Sequence, residues 1–241
     1  MYKKPSRREI KDYYSKYYPK MLEIWEKSGV DPRPLLLRKL RIDRMSKKKI
    51  LDIGCGTGKL IKSLKLTKRN EVHGIDISRE FLKTSKKRGI TTLYYDIDKR
   101  GNLPYPMNFF DMILMMDLIE HVFYIKSLFK KSYKVLKPKG RIIATMPNWM
   151  IADKKDTIQK VYEKSLQKVY KRKVPEKAKR YADFNHITVP ELKKILKATG
   201  FRIRKMHGFK WRWRELSSKE RKYLWSNPLK GRDLLIVIEK N

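Results

Sequence analysis

The stretch ILDIGCGTG, residues 50–58, decides the fold of this chain. An apolar strand ends at an acid, Asp52, and is followed by three glycines at alternate positions, Gly54, Gly56 and Gly58. Glycine permits a sharp turn after a strand and lets a ligand approach bare backbone. Residues 59–65 then resume a helical apolar spacing. Strand, glycine turn and helix form the opening unit of a nucleotide-binding α/β fold.

Two details of this loop separate it from a dinucleotide site. The glycines follow G-x-G-x-G rather than G-x-G-x-x-G, and Asp52 would repel a pyrophosphate but attract a sulfonium or an ammonium. The pattern D-x-G-x-G-x-G resembles the first motif of class I methyltransferases that use S-adenosylmethionine (SAM). This resemblance implies a SAM site that includes the glycines, Asp52 and Cys55, which lies inside the loop.

Further acids follow the later predicted strands. Asp76 comes 22 residues after Gly54, the separation at which a carboxylate reaches ribose hydroxyls in such folds, and Ile77 follows it. In the family, an acid after the third strand approaches the adenine amino group and the next residue covers the adenine face. By position these two are Asp96 and Ile97. The fourth strand ends at Met116 and Asp117. We expect all four acids at the carboxyl edge of one parallel sheet.

The remaining pattern predicts the rest of an α/β architecture. Further strands are predicted over 72–76, 90–95, 112–116, 141–145, 201–209 and 234–238, with a turn at Pro138-Lys139-Gly140 before the fifth. Thr188 and Glu191 form a capping box for a helix that ends at Gly200. The predicted fold is a Rossmann-like, mostly parallel sheet of seven strands, and in the family the last strand is antiparallel.

Two regions extend this predicted domain. Residues 1–45 carry helical spacing and are expected to form N-terminal lid helices, leaving 46–241 as the methyltransferase domain. Residues 151–183 form a basic helical insertion where the family builds a substrate cap. This insertion is either a flap over an anionic substrate or a solvated helix. Trp211-Arg212-Trp213-Arg214 either stacks on nucleobases or closes the end of the sheet.

Composition narrows the class of protein. The chain has 61 basic and 25 acidic residues, a formal net charge of +36, which favours anionic substrates, nucleic acid or an acidic membrane surface as partners. A lysine-rich surface without such a partner is the alternative. The single cysteine excludes an internal disulfide. No apolar run is long enough for a membrane span, and no signal core is present, so we expect a cytoplasmic protein.

The segment after the fourth strand bears on the reaction itself. Asp117, Glu120 and His121, with His186 later in the chain, resemble the E-x-x-E-H pattern of ubiquinone-type O-methyltransferases and small-RNA 2′-O-methyltransferases. The resemblance implies a divalent cation such as Mg²⁺ held by these four residues, although Asp117 is one methylene shorter than the usual glutamate. His121 or His186 as a general base is a second interpretation, and helix capping is a third.

The sequence therefore predicts a SAM-dependent methyltransferase acting on an oxygen or nitrogen of a small-molecule or glycan-type acceptor. One alternative is an RNA methyltransferase that uses the basic surface. Another is a non-catalytic nucleic-acid-binding protein on the same fold. The absence of N-P-P-Y after the fourth strand argues against the usual adenine-N6 enzymes.

Overall fold

The computed structural model describes residues 6–16, 31–150, 185–210 and 216–241. The strands are β1 (Lys49–Ile53), β2 (Glu71–Asp76), β3 (Thr91–Tyr94), β4 (Phe110–Met116), β5 (Leu136–Pro147), β6 (Phe201–Phe209) and β7 (Asp233–Lys240). The helices are α1 (Arg7–Lys16), α2 (Arg33–Lys39), α3 (Lys59–Ser63), α4 (Arg79–Lys87), α5 (Ile125–Val135), α6 (Val189–Lys197) and α7 (Ser218–Ser226). Short 3₁₀ turns lie at Ile42–Arg44, Leu66–Lys68, Ile119–His121 and Pro228–Lys230.

The strands form one sheet in the order β3-β2-β1-β4-β5-β7-β6. The first five strands are parallel, and β7 pairs antiparallel with both β5 and β6. The strand order reverses between β1 and β4, and ligands of open α/β sheets bind outside the carboxyl ends of the strands at such a point. The predicted seven-stranded Rossmann-like fold with an antiparallel last strand is confirmed.

Two cores, one on each face, explain why the central strands are apolar throughout. Helices α5 and α6 cover one face, with Leu128 and Leu192 fully buried against it. Helices α2 and α3 cover the other face, with Leu36 and Ile61 fully buried. Because both faces of β4 and β7 are covered, these strands consist of continuous buried runs rather than alternating patterns.

The helix start predicted at Thr188 is confirmed, and the structure shows a second side-chain cap at Ser78. The Ser78 side chain accepts a hydrogen bond from Phe81 N at the start of α4. Thr188 and Glu191 make both bonds of the capping box at the start of α6. Serine and threonine are favoured at these positions because their oxygens satisfy backbone N–H groups that have no partner in the first helical turn.

The turn predicted at Pro138-Lys139-Gly140 differs from the structure. These residues lie inside β5, which begins at Leu136 rather than at Arg141. The register jumps from the pair Phe110↔Leu136 to the pair Met112↔Arg141, and Lys139 has φ of 60°. The glycine and proline therefore mark a bulge between two paired parts of the same strand.

Some predictions fall partly or wholly outside the described residues. The basic insertion 151–183 and the tryptophan–arginine segment 211–214 lie outside them. Of the predicted lid helices, the structure describes α1 and α2. In the described part of the chain, no helix has both the length and the apolar character that a bilayer crossing requires.

Replacement of Gly58 by alanine tests the close packing behind the glycine turn. Gly58 has φ of +72°, and an added Cβ would lie 2.5 Å from Ile90 Cδ1 and 2.6 Å from Ser85 Oγ. Gly101 has φ of +94° but nothing within 4 Å of an added Cβ. We expect Gly101→Ala to cost about 1 kcal/mol for the backbone and Gly58→Ala about 3 kcal/mol or more in denaturant unfolding. Equal losses would contradict this packing.

Candidate functional site

The glycine turn wraps closely around the end of β1. Gly54, Gly56 and Gly58 all have positive φ, at 73°, 52° and 72°. An added Cβ on Gly54 would lie 3.1 Å from Leu118 Cδ1, in the segment that follows β4. Side chains at these positions would strain the backbone, and the turn therefore exposes bare peptide groups at the carboxyl edge of the sheet.

Asp76 fixes this turn from the neighbouring strand. Its Oδ2 accepts a hydrogen bond from Gly56 N at 2.9 Å, and its Oδ1 accepts one from Ser78 N at 2.8 Å. One carboxylate thereby joins the loop after β1 to the loop after β2, which continues through the half-buried Ile77. Burial raises the pKa of Asp76, and the backbone N–H groups of Ser78, Gly56 and Ile77 oppose that rise.

Asp52 is the most deeply buried of the four acids predicted at the strand ends. The residue is only 4% exposed, and burial raises its pKa to about 7. The charge of Arg33 lowers this pKa, whereas the nearby charge of Asp76 raises it. A buried carboxylate with such a pKa is stabilised in its charged form by a nearby cation, which is the property expected of a site for a sulfonium or ammonium ligand.

Asp117 ends β4 in the left-handed region, with φ of 51°. Thr145 Oγ1 donates a hydrogen bond to its Oδ1 at 2.6 Å, and Arg33 donates to its Oδ2 at 2.9 Å. Burial raises the pKa of Asp117, and Arg33 and Thr145 oppose the rise. Arg33 also pairs with Asp31 through two atoms, at 2.8 and 3.0 Å. The guanidinium therefore lies among the acids of the sheet edge.

Helix α1 lies across the same edge, above the end of β3. Arg7 donates to Asp96 Oδ2 at 2.6 Å, and the ring of Tyr14 meets the ring of His121 edge-on at 5.8 Å. Ile10 and Tyr13 of α1 are buried, at 5% and 2% exposure. Helix α1 therefore covers the region between β3 and the segment after β4, and its role as a lid stays a prediction.

Ile97, Cys55 and Met116 complete the predicted donor site. The carbonyl of Ile97 accepts a hydrogen bond from Lys131 Nζ at 2.6 Å, which fixes the backbone after Asp96. Cys55 and Met116 are both 8% exposed, and burial raises the pKa of the Cys55 thiol well above its ordinary value. The thiol is therefore neutral near pH 7 and packs behind the turn.

Two residues of the edge, Arg33 and Asp98, were not predicted from the sequence. Arg33 belongs to no recognisable sequence motif. Only its contact with Asp117, which follows β4, shows that it is part of this edge. Asp98 accepts hydrogen bonds from Phe123 N at 3.2 Å and Tyr124 N at 3.0 Å. Asp98 thereby ties the loop after β3 to the start of α5. These two hydrogen bonds join residues that are 25 and 26 positions apart in the chain, and no local sequence pattern indicates such contacts.

The two histidines occupy different surroundings. Burial lowers the pKa of His121 to about 4, although the charge of Asp117 opposes this shift. His186 stacks on Trp149, with ring centroids 4.0 Å apart and planes at 25°. Asn185 donates its backbone N–H to Glu120 O at 3.1 Å, and its side chain donates to Val122 O. This link holds the segment that carries His186 against the one that carries His121.

The four-residue metal site expected from the sequence is not supported. Residues 6–16, 31–150, 185–210 and 216–241 contain no group of three or more His, Cys, Asp or Glu side chains placed to hold a metal ion. The physical reason is the partners these side chains have. Asp117 binds Arg33 and Thr145, and His186 stacks on Trp149, so they are not arranged with Glu120 and His121 as ligands of one cation.

Part of this chain is similar in sequence to known proteins. Residues 51–144 match the family model described as a methyltransferase domain. An uncharacterized protein of Methanocaldococcus jannaschii is 32% identical over 152 residues, covering 63% of each chain. A demethylmenaquinone methyltransferase of Symbiobacterium thermophilum is 36% identical over 101 residues, 39% of this chain and 40% of that protein.

The likeness in three dimensions covers almost the whole chain. The structure of the plantazolicin methyltransferase BpumL in complex with SAH superposes with a TM-score of 0.63 at 17% identity, covering 97% of this chain and 94% of that one. At that identity the likeness shows the fold alone. This chain spans less than two thirds of the length of the two sequence relatives.

The strand order, the glycine turn and the acids at the carboxyl edge define a Rossmann-like ligand-binding domain. The matched family model and the sequence relatives then identify the class of this domain. Residues 51–144 carry a class I SAM-dependent methyltransferase domain.

Replacement of Asp52 by asparagine separates ligand binding from stability. The folded-state pKa of about 7 lies above the ordinary 3.8, so ionised Asp52 destabilises the fold, and this cost grows as the pH rises from 4 to 7. We expect Asp52→Asn to stabilise the protein more near pH 8 than near pH 5, by about 2 kcal/mol in denaturant unfolding.

The same variant should bind SAM at least about tenfold more weakly near pH 8, because the attracting charge is lost. Glu80→Gln, an exposed acid on α4, serves as the control and should show no such pH-dependent gain. A variant that gains no stability at high pH would contradict the burial of a charged Asp52.

Proposed function

We propose that this chain transfers the methyl group of SAM to an oxygen or nitrogen atom of an acceptor. The observation that carries the proposal is the combination of the glycine turn with Asp52 and Asp76 at the switch point of the sheet. The matched methyltransferase domain, residues 51–144, includes all of these residues. A nucleic-acid-binding protein without a SAM site would have no need for a buried, costly acid such as Asp52.

The residues present fit this donor. When bound, SAM supplies a methyl group on a positively charged sulfur. The exposed peptide groups of the turn leave room for a ligand against the backbone, and a side chain at Gly54 would fill that room. Asp52 provides negative charge, while each Asp76 oxygen can accept one more hydrogen bond, as from a ribose hydroxyl. Helix α1, through Arg7 and Asp96, would cover the donor and exclude water.

Among the described residues, we assign removal of the acceptor proton to His121. With a pKa of about 4, its imidazole is neutral near pH 7 and has a ring nitrogen able to accept a hydrogen bond. Asp117 favours the protonated form by its charge, and so it would stabilise an imidazolium formed during transfer. Orientation of the acceptor beside the donor supplies the larger part of the acceleration.

A small organic acceptor is the substrate class that the comparisons favour. One relative is named as a demethylmenaquinone methyltransferase, although the match covers 40% of that protein. The stacked rings of Trp149 and His186, beyond the end of β5, offer a flat apolar wall to such a molecule. Methyl transfer to a ring carbon is the competing outcome that this relative suggests.

The reaction class is tested by incubating the full chain with methyl-labelled SAM and separate RNA, protein and metabolite fractions. We expect label in the metabolite fraction, on oxygen or nitrogen. Calorimetric titration with SAM runs in parallel. If SAM does not bind at micromolar concentrations, the enzyme proposal is wrong.

Replacement of Asp76 by alanine tests the donor site. The variant loses the acceptor for Gly56 N and Ser78 N, and with it the order of the turn. We expect SAM affinity by calorimetry to fall more than about tenfold, with a loss of stability of about 2 kcal/mol. Glu71→Gln is the matched control, since Glu71 begins the same strand at the opposite edge and should leave SAM affinity unchanged. Parent-like affinity of Asp76→Ala would contradict the assignment.

Replacement of His121 by alanine tests the acceptor side. We expect kcat to fall about 100-fold while the Kd of SAM changes less than about threefold, because a proton acceptor acts on transfer rather than on donor binding. His73→Gln is the control, since His73 lies near the amino end of β2 and bonds Glu71. If His121→Ala keeps its kcat, the histidine has only a structural role.

A further inference from the structure

A cluster of arginines lies at the sheet edge opposite the donor site. Arg141 of β5, together with Arg202 and Arg204 of β6, converges on the carboxylate of Glu239 in β7, at 3.3, 2.9 and 3.2 Å. The strand register places Arg141 and Arg202 directly opposite Glu239, one on each side. We call these four residues the Glu239 arginine cluster.

The charge of this cluster is not balanced within it. One carboxylate faces three guanidinium groups, so the cluster carries two excess positive charges, and Lys139 lines the same cavity. The Glu239 side chain is 8% exposed, whereas Arg141, Arg202 and Arg204 are 47%, 64% and 45% exposed. The buried carboxylate therefore pairs with three guanidinium groups that remain partly exposed to solvent. The hydrogen bond from Arg202 lowers the pKa of Glu239, which keeps it charged near neutral pH.

The cluster is separate from the donor site. Arg141 precedes Thr145 by four residues along β5, about 13 Å at the usual rise of a strand, and Thr145 binds Asp117 at the carboxyl edge. The backbones of Arg141 and Arg202, two strands apart, lie about 10 Å from each other. Nothing in the proposed methyl transfer requires these arginines.

We propose that the Glu239 arginine cluster binds the phosphodiester backbone of a nucleic acid. Guanidinium forks match phosphate oxygens in geometry, and three of them at strand spacing fit an extended polyanion better than one phosphate. The net charge of +36 draws such a partner to the protein.

The composition of the cluster favours nucleic acid over a membrane. Binding to a membrane surface combines basic residues with inserted apolar ones. The cavity at the cluster is lined by charged and polar residues, namely Lys139, Arg141, Arg202, Arg204, Glu239, Lys240 and Asn241. The arginine cluster therefore offers charge and hydrogen bonds but no apolar anchor.

The test measures binding of the full chain to a fluorescent single-stranded RNA of about 20 nucleotides between about 50 and 200 mM salt. We expect the double variant Arg202→Gln/Arg204→Gln to bind about tenfold more weakly and to lose about 1.5 from the log–log salt slope, the amount for two phosphate contacts. The control Lys83→Gln/Lys87→Gln removes equal charge from the exposed face of α4, at the far end of the sheet, and should keep the parent slope.

A third variant should increase the affinity for RNA rather than decrease it. Glu239→Gln removes the carboxylate but keeps an oxygen that can accept from the arginines, and so it frees their charge for phosphate. We expect RNA affinity to rise about threefold. A fall in affinity, or equal slopes for the arginine and lysine double variants, would overturn the proposal. Circular dichroism of each variant establishes that it is folded.

Two further binding measurements distinguish RNA from free phosphate and from a membrane surface. Inorganic phosphate at matched ionic strength should not displace the RNA, whereas displacement would assign the cluster to a single free phosphate. Tighter binding to vesicles of phosphatidylserine than to RNA would overturn the proposal in favour of a membrane. Titration of the full chain with SAM is independent of all these RNA-binding measurements. If the chain does not bind SAM, the proposed methyl transfer is wrong, but the proposed role of the arginine cluster is unaffected.

Discussion

The hydrogen bonds that Asp76 accepts from Gly56 N and Ser78 N are the interaction on which this site depends. They fasten the loop after β1 to the loop after β2. Together with the hydrogen bonds that Ile75 O accepts from Gly54 N and Cys55 N, they fix the glycine turn. Because β1 is flanked by β2 and β4, a turn held in this way sets the position of every other acid of the edge relative to the ligand.

Gathering acids at one edge has an energetic cost that the fold offsets with cations from outside the sheet. Burial raises the pKa values of Asp52, Asp76 and Asp117, so burial destabilises the charged form of each. Arg33 from α2 reduces this cost at two of them, while Arg7 from α1 pairs with Asp96. The N-terminal helices are therefore joined to the sheet edge by charge as well as by packing. A positively charged donor fits the same electrostatic pattern.

The fold could be predicted from local patterns because each pattern has a local cause. Apolar runs predicted the strands, the acids that follow them marked the carboxyl edge, and Thr188 with Glu191 marked a helix start. The error at Pro138–Gly140 has the same origin, since a bulge and a turn use the same residues. The metal site was implied by the resemblance of Asp117, Glu120, His121 and His186 to a family pattern. It was not supported because Asp117 has an arginine and a threonine as partners, and neither is near it in sequence.

By itself, the sequence determined the glycine turn, the order of the strands' acids and the excess of positive charge, because these depend on residue type and short spacing. Only the tertiary structure decided which charges face one another. Arg33 reaches Asp117 across 84 positions, and Arg141 reaches Glu239 across 98. Contacts between residues so far apart in the chain arise from the packing of whole strands and helices, and no local pattern encodes them.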